Sequence, residues 1–419
     1  MTSRSELSSR GLFTLGFGFL GISLLWGVYN DFVPVILQAG RADFARGAGM
    51  RGYGLDIART GFVMGLDNLA AIFILPYVGG LSDRVRTKWG RRKPFIAIGA
   101  PIAAVSFALA PLAVGGPLGW FMAALVVTLL AMDLFRTPVV ALMPDLTPPH
   151  KRSAANGIIN FMGGLGVVLA AQIGGGLSFV SPAAPFLFAA AGMLVSQGVL
   201  LVAVREPAQP VDVAAEDTPS VWASLAYVFR DRDRSAITLL AAIALWFLGQ
   251  SALDAWFVSF SLQTFQITTG AAVQLKGTFA LSILVSSVPC GLIGARWGRK
   301  PSILAGLLLF GFAILIANGI REASDLRIIL AAAGFGWMLV VVNSLPLVLD
   351  FAPRGREGTY TGLYYIASQT AAFVGPMLSG GIFESAGRNY QPLCVYTPAA
   401  LFLAALLLWR VRPSSLHPN

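Results

Sequence analysis

Long apolar stretches alternate with short polar ones along almost the whole chain. Twelve apolar segments are read, at about 12–39, 59–82, 94–115, 118–144, 155–180, 182–204, 236–263, 270–294, 300–320, 326–350, 357–383 and 390–411. Each is long enough to cross the hydrocarbon core as a helix, which takes about 20 residues. A membrane barrel would instead show alternating segments of about ten residues. The pattern predicts an all-α membrane protein with twelve transmembrane helices. The only substantial polar interruption is 205–235, "REPAQPVDVAAEDTPSVWASLAYVFRDRDRS". Its Pro, Ala and acidic content reads as a linker, and "VWASLAYVFRD" as a short amphipathic helix on the membrane surface. The first apolar run follows "MTSRSELSSRG", is too long for a signal h-region, and reads as a retained first span.

Two landmarks repeat along this pattern. "KWGRRKP" at 88–94 recurs as "RWGRKP" at 296–301, and "DLTPPHKRSAANG" from Asp145 recurs in form as "DFAPRGREGTYTG" from Asp350. The offsets, 208 and 205 residues, nearly coincide. A duplication is therefore expected: residues 1–204 form one six-helix bundle, 205–235 a cytoplasmic linker, and 236–419 a second bundle in parallel orientation. Such halves are a hallmark of transporters built around a central site.

Charge fixes the expected orientation. Six of the ten positions from Arg84 to Lys93 are Lys or Arg. With both termini inside, twenty-one cations fall on the cytoplasmic side and eight outside, Lys276 and Arg59 being counted among the outer eight. The excess of cations in short inner loops gives an N-in, C-in protein of the cell (inner) membrane.

Composition agrees. The chain has 419 residues, is 56% hydrophobic and only 12% charged, against about one quarter charged in soluble domains. The net charge of +10 does not indicate nucleic acid, because the cations sit in short loops and not on a folded basic face. Cys290 and Cys394 lie in apolar segments and suit small buried hydrophobes. His150 and His417 lie outside the spans, so a proton relay has to use carboxylates. No metal-ligand cluster and no cofactor is expected.

The two-half layout with its basic loop resembles the major facilitator superfamily. "LSDRVRTKWGRRKPFI", "PVVALMPDLTPPHKRSAANG", "NSLPLVLDFAPRGREGTYTGLYY" and "LDN" at 66–68 are similar to its glycoside-pentoside-hexuronide symporter branch, near the sucrose/proton transporters. The resemblance implies a monomeric secondary active transporter that moves a sugar or glycoside, sucrose- or maltose-like, with protons by alternating access. It implies a charged latch that closes the inner side, formed by Gly80, Asp83, Arg84, Arg91, Arg92, Asp145, Arg152, Arg299 and Asp350. Melibiose-type members hold sodium with two helix 2 acids, and the matching positions here are Ala71 and Leu75; their helix 4 carboxylate is matched by Arg136. The coupling ion is therefore read as a proton, with Asp133 the nearest equivalent of the sucrose carriers' helix 4 acid.

Ionisable groups at membrane depth cost about 3 kcal/mol each on insertion scales, which makes Asp31, Asp67, Asp133, Arg136 and Asp254 functional candidates. Asp133 and Arg136 are three apart on one helix and can form an ion pair whose carboxylate switches between paired and protonated states. A structural pair is the plain alternative. Sugars call for several hydrogen-bonding groups and flat aromatic faces. Trp26, Asn30, Asp67, Asn68, Arg136, Gln250, Asp254, Trp256, Asn343, Tyr364 and Gln369 are the candidate contacts, although aromatics and amides in spans also serve as packing and interhelical glue. "GGLG" at 163–166, "GGG" at 174–176 and "GPMLSGG" at 375–381 read as close-packing surfaces, not phosphate loops. A transporter or exporter of a non-sugar solute, such as an organic anion, amino acid or drug, is the alternative function. A membrane enzyme or sensor has little support, since no nucleophile–base set or sizeable soluble domain is visible.

Overall fold

The computed structural model describes residues 9–44, 49–147, 152–206, 235–352 and 357–411. The expected linker helix lies in 207–234, outside the described residues. Twelve long helices occur among those described: α1 Ser9–Gln38, α2 Ile57–Arg84, α3 Lys93–Leu109, α4 Leu118–Leu146, α5 Arg152–Leu169, α6 Ala184–Ala203, α7 Ser235–Phe265, α8 Thr269–Trp297, α9 Arg299–Ala317, α10 Leu326–Asp350, α11 Glu357–Ser385 and α12 Leu393–Arg410. Ten contain stretches long and apolar enough to cross a membrane. The other two, α2 and α11, run 28 and 29 residues.

Two segments end differently from the apolar pattern. The segment read as 94–115 is helical only to Leu109 and then tightens into a 3-10 turn at Ala110–Ala113. Pro111, with no N–H to give, breaks the ladder there. The segment read as 155–180 passes from α5 into a π turn at Ala170–Gly174 and a last short turn at Gly175–Leu177. Prolines inside helices, Pro138 on α4 and Pro346 on α10 among them, are tolerated in membrane helices because neighbouring groups satisfy the freed carbonyls. These two prolines share the spacing of Trp89 and Trp297.

The chain divides into two compact units: Met1–Leu55 with Leu69–Val213 and Ile267–Gly277, and Asp56–Asn68 with Ala214–Gln266 and Thr278–Asn419. In the first, α1 packs on α5 and α6, and α3 on α4 and α6. In the second, α7 packs on α11 and α12, and α9 on α10 and α12. Adding six to each helix number converts one set of neighbours into the other, so the duplication seen in two loops extends to the packing.

Close approach is where the small residues act. A Cβ on Gly166 would strike the Leu20 carbonyl, and one on Gly375 would strike Ser251 and lie 2.9 Å from the Leu248 carbonyl. The glycine clusters read as packing surfaces serve that role at these positions. Large apolar side chains remain on the outside, Val202 at 85% exposed and Ile328 at 77%. In a multi-pass membrane protein such a surface meets lipid and needs no protein cover.

Candidate functional site

In the first unit, α1 presents Trp26, Asn30 and Asp31 within two turns. The Asp31 carboxylate is buried and receives the Lys276 ammonium at 2.6 Å. Lys276, counted with the outer cations, lies two turns inside α8, within the apolar segment read as 270–294. Arg59 likewise sits in the first turn of α2, paired with Asp56 at 3.2 Å. The start of α8 is fastened to α5 as well: Gln172 Nε2 donates to the Gln274 carbonyl at 3.2 Å, and Gln274 Nε2 returns a bond to the Gln172 carbonyl at 3.1 Å. Gln172 belongs to the π turn, whose widened ring turns the amide toward α8. Trp26 stands edge-on to Tyr29 at 5.3 Å, and its buried indole N–H has no acceptor among the described residues. Asn30 is half-buried.

Asp133 on α4 is 4% exposed, and Arg136 one turn on is half-buried. No salt bridge joins them among the described residues. Sharing a helix face permits a contact without enforcing it, and the ion pair expected from the spacing is not closed here. Asp67 lies on α2, but its side chain is outside the described residues, as is that of Arg152.

The basic loop between α2 and α3 forms a network inside the first unit. Arg91 donates to Asp145 at 2.6 Å, and Arg92 donates to the other Asp145 oxygen at 3.1 Å while also engaging Asp83 and Ser82. Two guanidiniums on one carboxylate give the charge-assisted geometry that carries most weight in such contacts. Arg84 is exposed and does not join the network among the described residues. A Cβ on Gly80 would meet nothing within 4 Å.

One functional group escaped the sequence reading. Glu206, just past α6, accepts the backbone N–H groups of Arg91, Arg92 and Lys93 at 2.7, 3.1 and 2.7 Å. It thus supplies the missing acceptor and favourable charge at the start of α3. Gly90 has φ +111, and any Cβ there would collide with the Glu206 carboxylate. Gly298 in the second copy has φ +93, so both "WGR" copies need glycine for the same left-handed turn. An acid immediately after an apolar span was the available signal, but the helix start that it caps is over 110 residues away.

The second unit repeats the network in smaller form. Arg299 pairs with Asp350 and donates to the Pro346 carbonyl at 3.0 Å. Lys300 Nζ donates to the carbonyls of Trp409 and Val411 at 3.0 and 2.6 Å, tying the end of α12 to the start of α9.

Among the expected substrate contacts in this unit, three are buried in helix–helix contacts. Trp256 donates its indole N–H to Ser379 Oγ at 2.9 Å and packs against Phe383 and Tyr390. Asn343 donates to the Leu339 carbonyl at 2.9 Å and occupies space that Gly294 leaves open. Tyr364 shares a hydrogen bond with Ser344 at 3.1 Å. Amides, hydroxyls and indoles satisfy one another between spans in the same way that they would satisfy a ligand, so the sequence could not separate the two uses. Asn68, Gln250, Asp254 and Gln369 are half-buried.

The fold is similar to the crystal structure of a bacterial homolog to the human lysosomal transporter Spinster in an inward-facing and occupied conformation: TM-score 0.71 and 15% identity, covering 98% of this chain and 97% of that one. In sequence, the chain is 29% identical over 168 residues to the acurin A biosynthesis cluster MFS-type transporter of Aspergillus aculeatus, matching 39% of this chain and spanning 30% of that protein's length. It is 25% identical over 362 residues to the class C tetracycline resistance protein of Escherichia coli, covering 83% of this chain and 85% of that one. The family model of the Major Facilitator Superfamily matches residues 9–278 and 269–419, and the chain belongs to that superfamily of membrane transporters.

Proposed function

We propose that this transporter is a proton-coupled symporter of a small polyhydroxylated solute, a sugar or glycoside, working by alternating access. The observation that carries the reading is the buried Asp31–Lys276 pair. A proton delivered to Asp31 cancels the attraction that holds α8 to α1, so protonation and helix movement become one event. Asp133 is a second buried carboxylate, and Asp67 a third acid on the neighbouring span. With no salt bridge to Asp133, the Arg136 guanidinium is left to meet substrate hydroxyls. Trp26, Asn30, Asn68, Gln250, Asp254 and Gln369 complete the proposed contacts. Ala71 and Leu75 offer no ligand to sodium, which favours the proton. The likeness of the basic loop and of the Asp145 and Asp350 stretches to glycoside symporters supports the sugar.

In this reading the chain is a monomer of the cell (inner) membrane, with twelve spans and both termini cytoplasmic. Residues 1–204 and 236–419 form the two bundles, joined by 205–235. A second reading, export of a non-sugar solute, is favoured by the likeness to a tetracycline resistance protein.

A substrate panel measured in proteoliposomes, with and without a proton gradient, decides between them. A sugar added to de-energised vesicles should alkalinise the outer medium, and Asp133→Asn should abolish that signal while binding stays measurable. Full coupled accumulation by Asp133→Asn would remove Asp133 from the mechanism. Gradient-driven extrusion of a tetracycline with no response to any sugar would establish the second reading instead.

A further inference from the structure

A cavity of about 800 Å³ lies in the first unit where the loop between α2 and α3, the start of α3 and the end of α6 meet. Its wall is divided by chemistry. At the loop end stand the side chains of Arg86, Lys88, Lys93 and Arg205. Ala97 on α3 and Leu201 and Val202 on α6, about one turn inside the helices from Lys93 and Arg205, complete the wall, and Trp89 of the loop is 70% exposed.

The positive charge in this cavity is not cancelled from within. Glu206, the one carboxylate in the wall, accepts backbone N–H groups of the α3 start with both oxygens and offsets one positive charge, which leaves the wall with a net positive charge. Arg91 is engaged by Asp145. Arg86 donates only to the carbonyls of Asp83 and Val85, which bear no net charge. Among the described residues Arg86, Lys88, Lys93 and Arg205 form no ion pair. The cations lie in the loop before α3, at the start of α3 and just past the end of α6, and Ala97, Leu201 and Val202 belong to the apolar helices α3 and α6.

We propose that this cavity is a binding site for an anionic phospholipid, its phosphodiester held by Arg86, Lys88, Lys93 and Arg205 and one acyl chain lying along Ala97, Leu201 and Val202. The division into a charged end and an apolar end matches a lipid and not a soluble phosphate, which would leave Val202 and Leu201 without a use. Basic pockets between membrane helices recognise headgroups by this chemistry, and an indole at the interface orients with its ring toward the chains. The cavity wall is the same loop that carries Arg91 and Arg92 to Asp83 and Asp145. Lipid occupancy therefore stiffens the network between α2, α3 and α4.

Native mass spectrometry of the full-length protein, titrated with phosphatidylglycerol or phosphatidylcholine, tests the site. Retention of phosphatidylglycerol should exceed that of phosphatidylcholine at least fivefold, and the double variant Lys88→Gln/Arg205→Gln should bring it down to the phosphatidylcholine level. Both side chains are exposed and outside the ion-pair network, so the variant should fold; its melting temperature in phosphatidylcholine nanodiscs checks this. Replacing Val202 by Asp, at the lipid-facing wall, should lower phosphatidylglycerol retention by a similar factor. Equal retention of the two lipids, or no change in either variant, would overturn the proposal. Stabilisation by millimolar glycerol 3-phosphate equal to that by phosphatidylglycerol would also overturn it, in favour of a soluble anion.

Discussion

Asp31 and Lys276 are 245 residues apart in sequence and 2.6 Å apart in space. Their pairing joins α1 to the first turns of α8 inside a single compact unit. A buried ion pair is not a strong source of stability by itself, because desolvation offsets most of the attraction. Its value lies in what happens when one charge disappears.

Asp31→Asn alone removes a buried carboxylate that meets the Lys276 ammonium at 2.6 Å and should cost about 3–5 kcal/mol, read as a marked fall in melting temperature in detergent. Asp31→Asn combined with Lys276→Gln should regain most of that loss. The double variant should nevertheless fail to couple proton flow to substrate, which separates the pair's role in transport from its role in stability.

Gly90 and Gly80 belong to one loop motif but have different reasons to be glycine. Gly90→Ala forces a left-handed residue, at about 1–2 kcal/mol, and pushes the new methyl into Glu206. Thermal denaturation should show a clear loss for Gly90→Ala and none for Gly80→Ala, whose Cβ enters open space.

Asp145 and Asp350 are repeat counterparts in unequal settings. The Asp145 side chain is 18% exposed and that of Asp350 46%. Asp145→Asn weakens two guanidinium bonds and should cost about 2 kcal/mol. Asp350→Asn disturbs a pair open to water and should cost about 0.5 kcal/mol. Repeating both melts at 1 M salt should erase the smaller effect and leave the larger, since screening reaches exposed pairs first.

Trp256→Phe removes the bond to Ser379 and also trims a fully buried indole to a smaller ring, leaving a void beside Gly61 and Gly380. A loss of about 2–3 kcal/mol is expected, with an unchanged KM for the transported solute. A large rise in KM would restore Trp256 to the substrate contacts.

The fold was legible in the sequence because membrane helices announce themselves by length and apolar content, and because the two "WGR" loops preserve a turn that only glycine makes easily. The helix pairing that follows the six-helix repeat could then be anticipated. The site was harder to read. Asp31 stands out as a carboxylate in an apolar run, whereas Lys276 enters the sequence reading only as one of the outer cations, because its partner lies on a distant helix. Trp256, Asn343 and Tyr364 have the side-chain chemistry of a sugar site and the partners of a packed bundle. Glu206 looked like the first acid of a linker, since nothing in its neighbourhood along the chain reveals the three N–H groups that it meets.

The two halves fasten their sixth helix to their third with opposite polarity. In the first, an anion past α6 meets the donors at the start of α3; in the second, a cation at the start of α9 meets the carbonyls at the end of α12. The duplicated scaffold has kept the place where the sixth helix is fastened to the third and exchanged the sign of the group that fastens it, so the same contact in space answers to an acid in one half and to a base in the other.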